Sequence, residues 1–204
     1  MHPHTPPCST SSKHSLLFLY ASVRRLQLEC TAHASQSLIP QPITPSDGTL
    51  RAISHALMES SCALIEFSFH SDGERETRIL RSLCKVGLRP IVAHPERYSY
   101  IQYDPELINL WHRMGCLMQV NRGSLMGRFG SGPQEMATEL VERNFATVVA
   151  SDAHSPQVRT PWMEDIKEYL SQEYSPAYAR RLLLENPNRI LKDTPISPTE
   201  PEWF

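Results

Sequence analysis

The stretch PIVAHPERY (90–98) passes directly from a short apolar run to a group of charged and polar side chains. Similar apolar runs occur at CALIEF (62–67), CLMQVN (116–121) and ATVVAS (146–151). Each run is short, nearly continuous and bounded by Gly, Pro or polar residues, which is typical of a strand buried on both faces. The sequence therefore predicts four buried β-strands.

Segments with helical periodicity lie between and after these strands. The sequence predicts helices over residues 74–86, after Asp104-Pro105, over 133–144, and over about 162–172 and 176–185. The strands begin about 26–30 residues apart, which is the size of a βα unit. Repeated βα units form parallel sheets, either open or closed into barrels. The chain is therefore predicted to be an α/β protein, either a small sheet or the C-terminal half of a barrel.

The composition excludes several classes of protein. The 204 residues carry 20 Lys plus Arg and 22 Asp plus Glu, with no basic run, which argues against a nucleic-acid or membrane surface. No stretch approaches the roughly 20 apolar residues needed to cross a bilayer. The five cysteines are odd in number and form no CxxC pair, which indicates reduced thiols and predicts a cytoplasmic protein.

The N-terminal segment differs from the rest of the chain. All 8 glycines lie at Gly48 or later, and the preceding part is rich in Ser and Pro. We expect an atypical, poorly ordered segment over 1–60, either a floppy arm or the product of a truncation or shifted reading frame. A βα domain is expected over 61–191. A proline-containing tail over 192–204 is expected to be disordered.

Polar residues lie at or just beyond the carboxyl ends of the predicted strands, where α/β folds gather their active sites. In chain order they are Glu66, His94 with Glu96 and Arg97, Asn121 with Arg122, and Asp152 with His154. Carboxylate and imidazole ligands together suit Mn²⁺, Fe²⁺ or Zn²⁺. Arg97 and Arg159 closely follow the two histidines, and arginine binds phosphate bidentately. The combination predicts metal-assisted hydrolysis of a phosphate ester.

Five motifs, in order, resemble one family. ALIEFSF, PIVAHPERY, MGCLMQVNRGSLMGRFG, VVASDAH and ENPNRIL are similar to the PHP-superfamily protein-tyrosine phosphatases of bacterial capsule and exopolysaccharide clusters. The resemblance, from about Ala63 to Leu191, implies a distorted (βα)₇ PHP barrel with a trinuclear, usually Mn²⁺-dependent site. It also implies hydrolysis of phosphotyrosine by metal-activated water. The implied substrate is an autophosphorylating tyrosine kinase that controls polysaccharide export.

The same resemblance implies a role for the strand-end residues. Four of them would be metal ligands, namely Glu66 and His94 on one ion and Asp152 and His154 on the others. Two arginines would hold the phosphate, namely Arg97 and Arg159.

The chain departs from the family pattern on its N-terminal side. Family members carry a His-x-His strand, a DDG loop, a T-x-H motif and a metal-bridging glutamate. Here His2 and His4 have the first spacing and His33 lies in a T-x-H triplet, but none has the expected context, and no bridging glutamate is found. With ligands missing, the repulsion between neighbouring cations is unopposed. The sequence therefore predicts weak metal binding and less activity than in an intact relative.

Three other readings fit some of these residues. Another PHP phosphoesterase, such as a histidinol-phosphate phosphatase, is the alternative within the metal-dependent class, but Glu66 in its IEF context favours the tyrosine phosphatases. A truncated or decayed homologue would be weakly active or inactive. Cys116 and Arg122 match the C-x₅-R spacing of cysteine-dependent phosphatases, but the residues between them indicate a buried strand rather than a phosphate-binding loop. Cys116 is therefore expected to be a core residue.

Overall fold

A computed structural model of the chain describes residues 61–153, 162–196 and 200–204. Several residues discussed above lie outside this part of the chain. They are all of 1–60, with His2, His4 and His33, and two residues of the predicted site, His154 and Arg159.

Four strands form one parallel sheet whose strand order follows the chain. They are β1 (Cys62–Ile65), β2 (Arg89–Ala93), β3 (Leu117–Asn121) and β4 (Ala146–Ala150). All three neighbouring pairs are parallel, so the prediction of an α/β fold with a parallel sheet is confirmed. Because the strands are parallel, their four carboxyl ends lie at one edge of the sheet.

The helices lie between and after the strands. Their bounds are α1 (Glu74–Lys85), α2 (Ser99–Tyr103), α3 (Glu106–Arg113), α4 (Arg122–Leu125), α5 (Ser131–Glu142), α6 (Glu164–Glu173), α7 (Pro176–Arg180) and α8 (Asn186–Leu191). A 3₁₀ turn (Pro95–Arg97) follows β2, and a π-helical segment (Arg181–Glu185) joins α7 to α8. Within the described residues, none of these helices combines the length and the apolar character that a membrane span needs.

The longer helices were predicted correctly and the short ones were not. α1, α3, α5 and α6 start and end within a few residues of the predicted bounds. The helix predicted over 176–185 is α-helical only to Arg180 and continues as the π-helical segment. The 3₁₀ turn, α2 and α4 are too short to show an apolar period, which is why the sequence pattern did not indicate them.

Two glycines return the chain from a helix to the sheet. Gly87 follows α1 with φ of +85°, and Gly115 follows α3 with φ of +91°. A Cβ atom at either position would meet nothing within 4 Å, so the backbone conformation and not the space requires glycine. Glycine in a left-handed conformation just after the last turn is a common way to end a helix.

Both faces of the sheet are covered, and β3 is buried at all five positions. On one face Met118 packs in a large cluster that includes Leu80 and Leu140 from the helices. On the other face Leu117 packs in a smaller cluster with Ile190 of α8. This burial on both sides explains why the strand sequences are nearly continuous in apolar residues.

Residues 200–204 pack on the domain, so the predicted disorder of the tail does not hold for them. The backbone N–H of Glu202 donates to the carbonyl oxygen of Arg143 at 2.9 Å. The ring of Phe204 stacks on Phe145, with centroids 5.3 Å apart. Proline-rich composition predicted disorder, but aromatic side chains bury enough apolar surface to hold a short segment in place.

Candidate active site

Glu66 and His94 form a pair at the carboxyl edge of the sheet. Glu66 is the first residue after β1, and His94 is the first residue after the neighbouring strand β2. Glu66 Oε1 lies 3.2 Å from His94 Nε2. The imidazole is buried, whereas the side chain of Glu66 is 23% exposed. The structure thus brings two of the predicted ligands into contact, with the carboxylate nearer to solvent.

The backbone at His94 leaves the strand in a left-handed conformation, with φ of +34°. Its N–H donates to Oε1 of Gln119 on β3 at 3.2 Å. Histidine is one of the residues that tolerate this conformation, and such backbone outliers cluster at functional sites. Among the described residues, His94 Nδ1 has no hydrogen-bond partner although it is buried.

Arg97 ends the 3₁₀ turn, and its guanidinium group contacts two aromatic rings. Its Cζ atom lies 4.6 Å from the ring centroid of Phe69 and 4.3 Å from that of Phe129. One of its terminal nitrogens, Nη1, lies 3.7 Å from Asp152 Oδ2. Contact with two rings restricts the orientation of the guanidinium, whose N–H donors lie in its plane.

Asp152 lies two residues beyond β4 and also has a left-handed backbone, with φ of +49°. Its Oδ2 atom accepts a hydrogen bond from Nδ2 of Asn121, the last residue of β3, at 3.0 Å. The same oxygen faces Arg97 from the turn after β2. The ends of β2, β3 and β4 therefore meet at this carboxylate.

Glu96 belongs to the site, and the sequence left its role open. It is fully buried, and its Oε1 atom accepts hydrogen bonds from the backbone N–H of Asn121 at 3.0 Å and the Ser124 hydroxyl at 2.7 Å. Burial raises the pKa of the Glu96 carboxyl group, while the neighbouring His94 and the Ser124 hydrogen bond oppose that rise. Its position between His94 and Arg97 was the only signal in the sequence.

The predicted ligand set is assembled only in part within the described residues. Glu66 contacts His94, and Asp152 contacts Arg97, but His154 and Arg159 lie outside the described residues. Within 61–153, 162–196 and 200–204, no group of three or more His, Cys, Asp or Glu side chains is arranged to hold a metal ion. The assignment of individual ligands therefore stays a prediction.

Cys116 does not lie in this site. It precedes β3 and is therefore at the amino edge of the sheet, opposite to His94. The residue is 1% exposed, and burial raises the pKa of its thiol. A reactive cysteine needs an accessible thiolate. Cys116 is a core residue, as the sequence predicted, and the geometry gives no support to a cysteine mechanism.

Arg122, which is buried, forms a bidentate ion pair with Asp165, whose side chain is 34% exposed. Its Nε donates to Oδ1 of Asp165 at 2.7 Å, and a second nitrogen donates to Oδ2. The pair connects α4 to the first turn of α6. The hydrogen bond from the Arg122 guanidinium holds the pKa of the Asp165 carboxyl group below its ordinary value. The sequence suggested Arg122 as a strand-end polar residue and did not indicate this partner.

The Arg122–Asp165 pair should make stability depend on pH. Because the folded pKa of Asp165 lies below its ordinary value of 3.8, the stabilisation is present above that value and is lost as the pH falls through the lowered pKa. We expect Asp165→Asn to lower the free energy of unfolding at about pH 7, and the difference from wild type to shrink as the pH falls below 3.8. Urea unfolding followed by circular dichroism measures this difference.

The neighbouring Glu164 provides a matched control. It forms an exposed ion pair with Lys167 at 2.7 Å, and such exposed pairs contribute little to stability. Glu164→Gln should therefore change the free energy of unfolding much less than Asp165→Asn. A difference between Asp165→Asn and wild type that stays constant over the whole pH range would contradict the prediction.

Comparison with known proteins gives several matches over the same part of the chain. The family model described as capsular polysaccharide synthesis, CpsB/CapC, matches residues 47–192. The tyrosine-protein phosphatase CpsB of Streptococcus pneumoniae is 30% identical over 142 residues, covering 67% of this chain and 58% of CpsB. The tyrosine-protein phosphatase YwqE of Bacillus subtilis is 30% identical over 147 residues, covering 72% of this chain and 58% of YwqE. The putative tyrosine-protein phosphatase CapC of Staphylococcus aureus is 32% identical over 155 residues, covering 72% of this chain and 60% of CapC.

A solved structure matches the fold as well. It comes from the crystal structures of YwqE from Bacillus subtilis and CpsB from Streptococcus pneumoniae, described as unique metal-dependent tyrosine phosphatases. The TM-score is 0.65 at 30% identity, over 71% of this chain and 58% of that chain. This chain thus spans somewhat more than half the length of the relatives that it matches. The family match includes all four strands and the described site residues, and the chain therefore belongs to the CpsB/CapC family of capsular polysaccharide synthesis.

Proposed function

We propose that this chain is a metal-dependent protein-tyrosine phosphatase, which hydrolyses phosphotyrosine monoesters. One observation carries the proposal: the Glu66–His94 pair, 3.2 Å apart, stands at the same sheet edge as Arg97. A carboxylate and an imidazole suit a divalent metal, and arginine suits a phosphate group. The relatives CpsB and YwqE, which are tyrosine-protein phosphatases, support the choice of substrate class.

The geometry of the Glu66–His94 pair fits a shared metal ion. Two ligand atoms about 2.1 Å from one ion, at octahedral to tetrahedral angles, lie about 3.0–3.4 Å apart. The observed distance of 3.2 Å falls in this range. We therefore assign these residues to one ion and, by the family resemblance, Asp152 and His154 to its neighbours. Mn²⁺ is the proposed metal, with Fe²⁺ or Zn²⁺ as alternatives, and a bound ion would supply an activated water molecule and polarise the phosphate.

Arg97 is the proposed phosphate ligand, together with Arg159 from outside the described residues. The rings of Phe69 and Phe129 restrict the guanidinium before any substrate arrives, so little conformational entropy is lost on binding. A guanidinium has five N–H donors, and Nη1 is the atom that faces Asp152. The group therefore retains in-plane donors for a phosphate dianion.

The family also supplies the proposed setting. Because the chain belongs to a family of capsular polysaccharide synthesis, we propose that its substrate is an autophosphorylating tyrosine kinase of capsule or exopolysaccharide synthesis. We place the reaction in the cytoplasm, where free thiols such as Cys116 stay reduced. The domain is proposed to be part of a PHP barrel. The strand order supports this, because each crossover leads to the neighbouring strand, as it does in a βα barrel.

Turnover of the full chain with Mn²⁺ tests the proposal. We expect Mn²⁺-dependent hydrolysis of a phosphotyrosine peptide, little hydrolysis of the matching phosphoserine peptide, and loss of activity in Asp152→Ala. Cys116→Ser should remain active, because Cys116 lies at the opposite edge of the sheet. Activity that needs no metal, or that is lost only in Cys116→Ser, would overturn the proposal.

The N-terminal motifs of the family are unmatched in this chain, and we therefore predict lower activity than in an intact relative. A parallel assay of Streptococcus pneumoniae CpsB checks this prediction.

A further inference from the structure

Asn121 occupies the junction between β3 and α4. As the residue that precedes α4, it caps the helix: its Oδ1 atom accepts a hydrogen bond from the backbone N–H of Gly123 at 2.7 Å. Because a backbone N–H can only donate, the oxygen of the Asn121 amide must be the atom on that side. The NH₂ group of the amide therefore faces the opposite way, and its orientation is determined by the cap.

The NH₂ group of Asn121 is directed at the carboxylate of Asp152. Nδ2 donates to Asp152 Oδ2 at 3.0 Å, across from the end of β3 to the residues that follow β4. Asn121 is 1% exposed, so water does not compete strongly for this donor. One side chain thus caps a helix and orients a carboxylate at the same time.

Asn121 is itself held in place from the opposite side by Glu96. The backbone N–H of Asn121 donates to Glu96 Oε1 at 3.0 Å, and the Ser124 hydroxyl donates to the same atom at 2.7 Å. Glu96 is fully buried, so these hydrogen bonds are not exchanged for bonds to water. The first turn of α4 is therefore fixed against the turn that follows β2.

Arg97 closes the connection into a ring of contacts. It is the next residue after Glu96, and its Nη1 lies 3.7 Å from the same Asp152 oxygen that Asn121 binds. The ring runs from Glu96 to Asn121, to Asp152, to Arg97 and back along the chain to Glu96. It connects the ends of three strands and leaves the Asp152 carboxylate little freedom to rotate.

We propose that Asn121 is a positioning residue of this site, which holds the Asp152 carboxylate in the orientation needed to bind a metal ion. The inference rests on the proposed function, because it takes Asp152 as a metal ligand. Hydrogen-bonded partners of metal ligands set the orientation of those ligands, and their loss costs about 10–100-fold in metal affinity or activity. The hydrogen bond to Asp152 depends on the Asn121 NH₂ group. A different capping residue before α4, or the Glu96 carboxylate, would not donate it.

Asn121→Ser separates the two roles of this side chain. Serine is as good a helix cap as asparagine, so α4 should be retained, but its hydroxyl is too short to reach Asp152 while it caps. We expect the dissociation constant of Mn²⁺, measured on the full chain from the electron paramagnetic resonance signal of free Mn²⁺, to rise about 10–100-fold. In an Asp152→Ala background the same substitution should change it no further, because the oriented carboxylate is absent.

A capping residue elsewhere serves as the control. Ser175 caps α7 and accepts a hydrogen bond from the backbone N–H of Tyr178 at 3.1 Å, at the far end of α6 from Asp165. Ser175→Ala should lower thermal stability and leave the Mn²⁺ dissociation constant unchanged. Affinity in Asn121→Ser equal to wild type, or a loss that persists in the Asp152→Ala background, would overturn the proposal.

An amide spectrum tests the positioning contact even if no metal binds. The Asn121 side-chain NH₂ signals can be assigned by their absence in Asn121→Ser. We expect one of these protons to be shifted downfield by the carboxylate, and the shift to be lost in Asp152→Ala. Signals that do not respond to Asp152→Ala would overturn the positioning role. If wild type binds no Mn²⁺ but the signals respond as expected, the metal function fails and the Asn121–Asp152 contact stands.

Discussion

Replacing His94 with alanine is expected to lower the Mn²⁺-dependent turnover of an aryl phosphate by more than about 100-fold. Loss of an outer partner of a metal ligand already costs about 10–100-fold, and His94 is proposed as a ligand itself. His94 contacts Glu66 Oε1 through its Nε2 atom at 3.2 Å. Alanine has no side-chain nitrogen to replace it. The measurement compares kcat/KM of the full-length wild type and His94→Ala over a range of Mn²⁺ concentrations.

His112 is the matched control for this experiment. It lies in α3 with its ring centroid 5.4 Å from that of Phe145, which precedes β4 at the amino edge of the sheet. His112→Ala should therefore keep the Mn²⁺-dependent turnover, whatever its effect on stability. Equal kcat/KM for His94→Ala and wild type would refute the assignment of His94, whereas a wild type without any Mn²⁺-dependent turnover would refute the proposed function.

Trp111→Ala is expected to cost about 3–5 kcal/mol in the free energy of unfolding, the second large effect. Trp111 is fully buried in the main core cluster, and its indole N–H donates to Thr77 Oγ1 on α1 at 2.8 Å. Its ring lies edge-on to Tyr100, with centroids 6.5 Å apart. Truncation removes this contact between α3 and α1 and leaves a cavity. Domains are stable by only about 5–15 kcal/mol, so this loss is severe.

Urea unfolding monitored by circular dichroism measures this loss. Trp162 offers a control of the same residue type, since it is 66% exposed. Trp162→Ala should change the free energy of unfolding by no more than about 0.5 kcal/mol. Similar losses from the two substitutions would contradict the assignment of Trp111 to the core.

The strands and their direction followed from local sequence patterns. The run at 90–93 and the observed β2 (Arg89–Ala93) differ by one residue. A strand buried on both faces must be apolar at consecutive positions, and this requirement can be recognised without knowing which helices cover it. The spacing between consecutive apolar runs is long enough for a helix. Two strands connected by a helix are usually parallel.

The convergence of Glu66 and His94 also followed from the sequence. Both residues lie at the carboxyl ends of the predicted strands, and these ends must lie together in neighbouring parallel strands. The same argument places Asp152 at that edge. Distances and partners did not follow, because a pattern of burial does not specify how two polar side chains orient toward each other.

The tertiary structure alone decided the contacts between distant segments. Glu96 and Asn121 are 25 positions apart, and the contact of Asn109 with Phe204 spans 95 positions. A buried carboxylate or a packed aromatic tail is stable only when another element supplies its partner. The local periodicity of the sequence does not indicate which element that is. The sequence by itself determined four parallel strands and the edge where their polar residues gather. Which of these side chains bind one another was decided by the order of the strands and the close packing of their ends, because hydrogen bonds act only over about 3 Å.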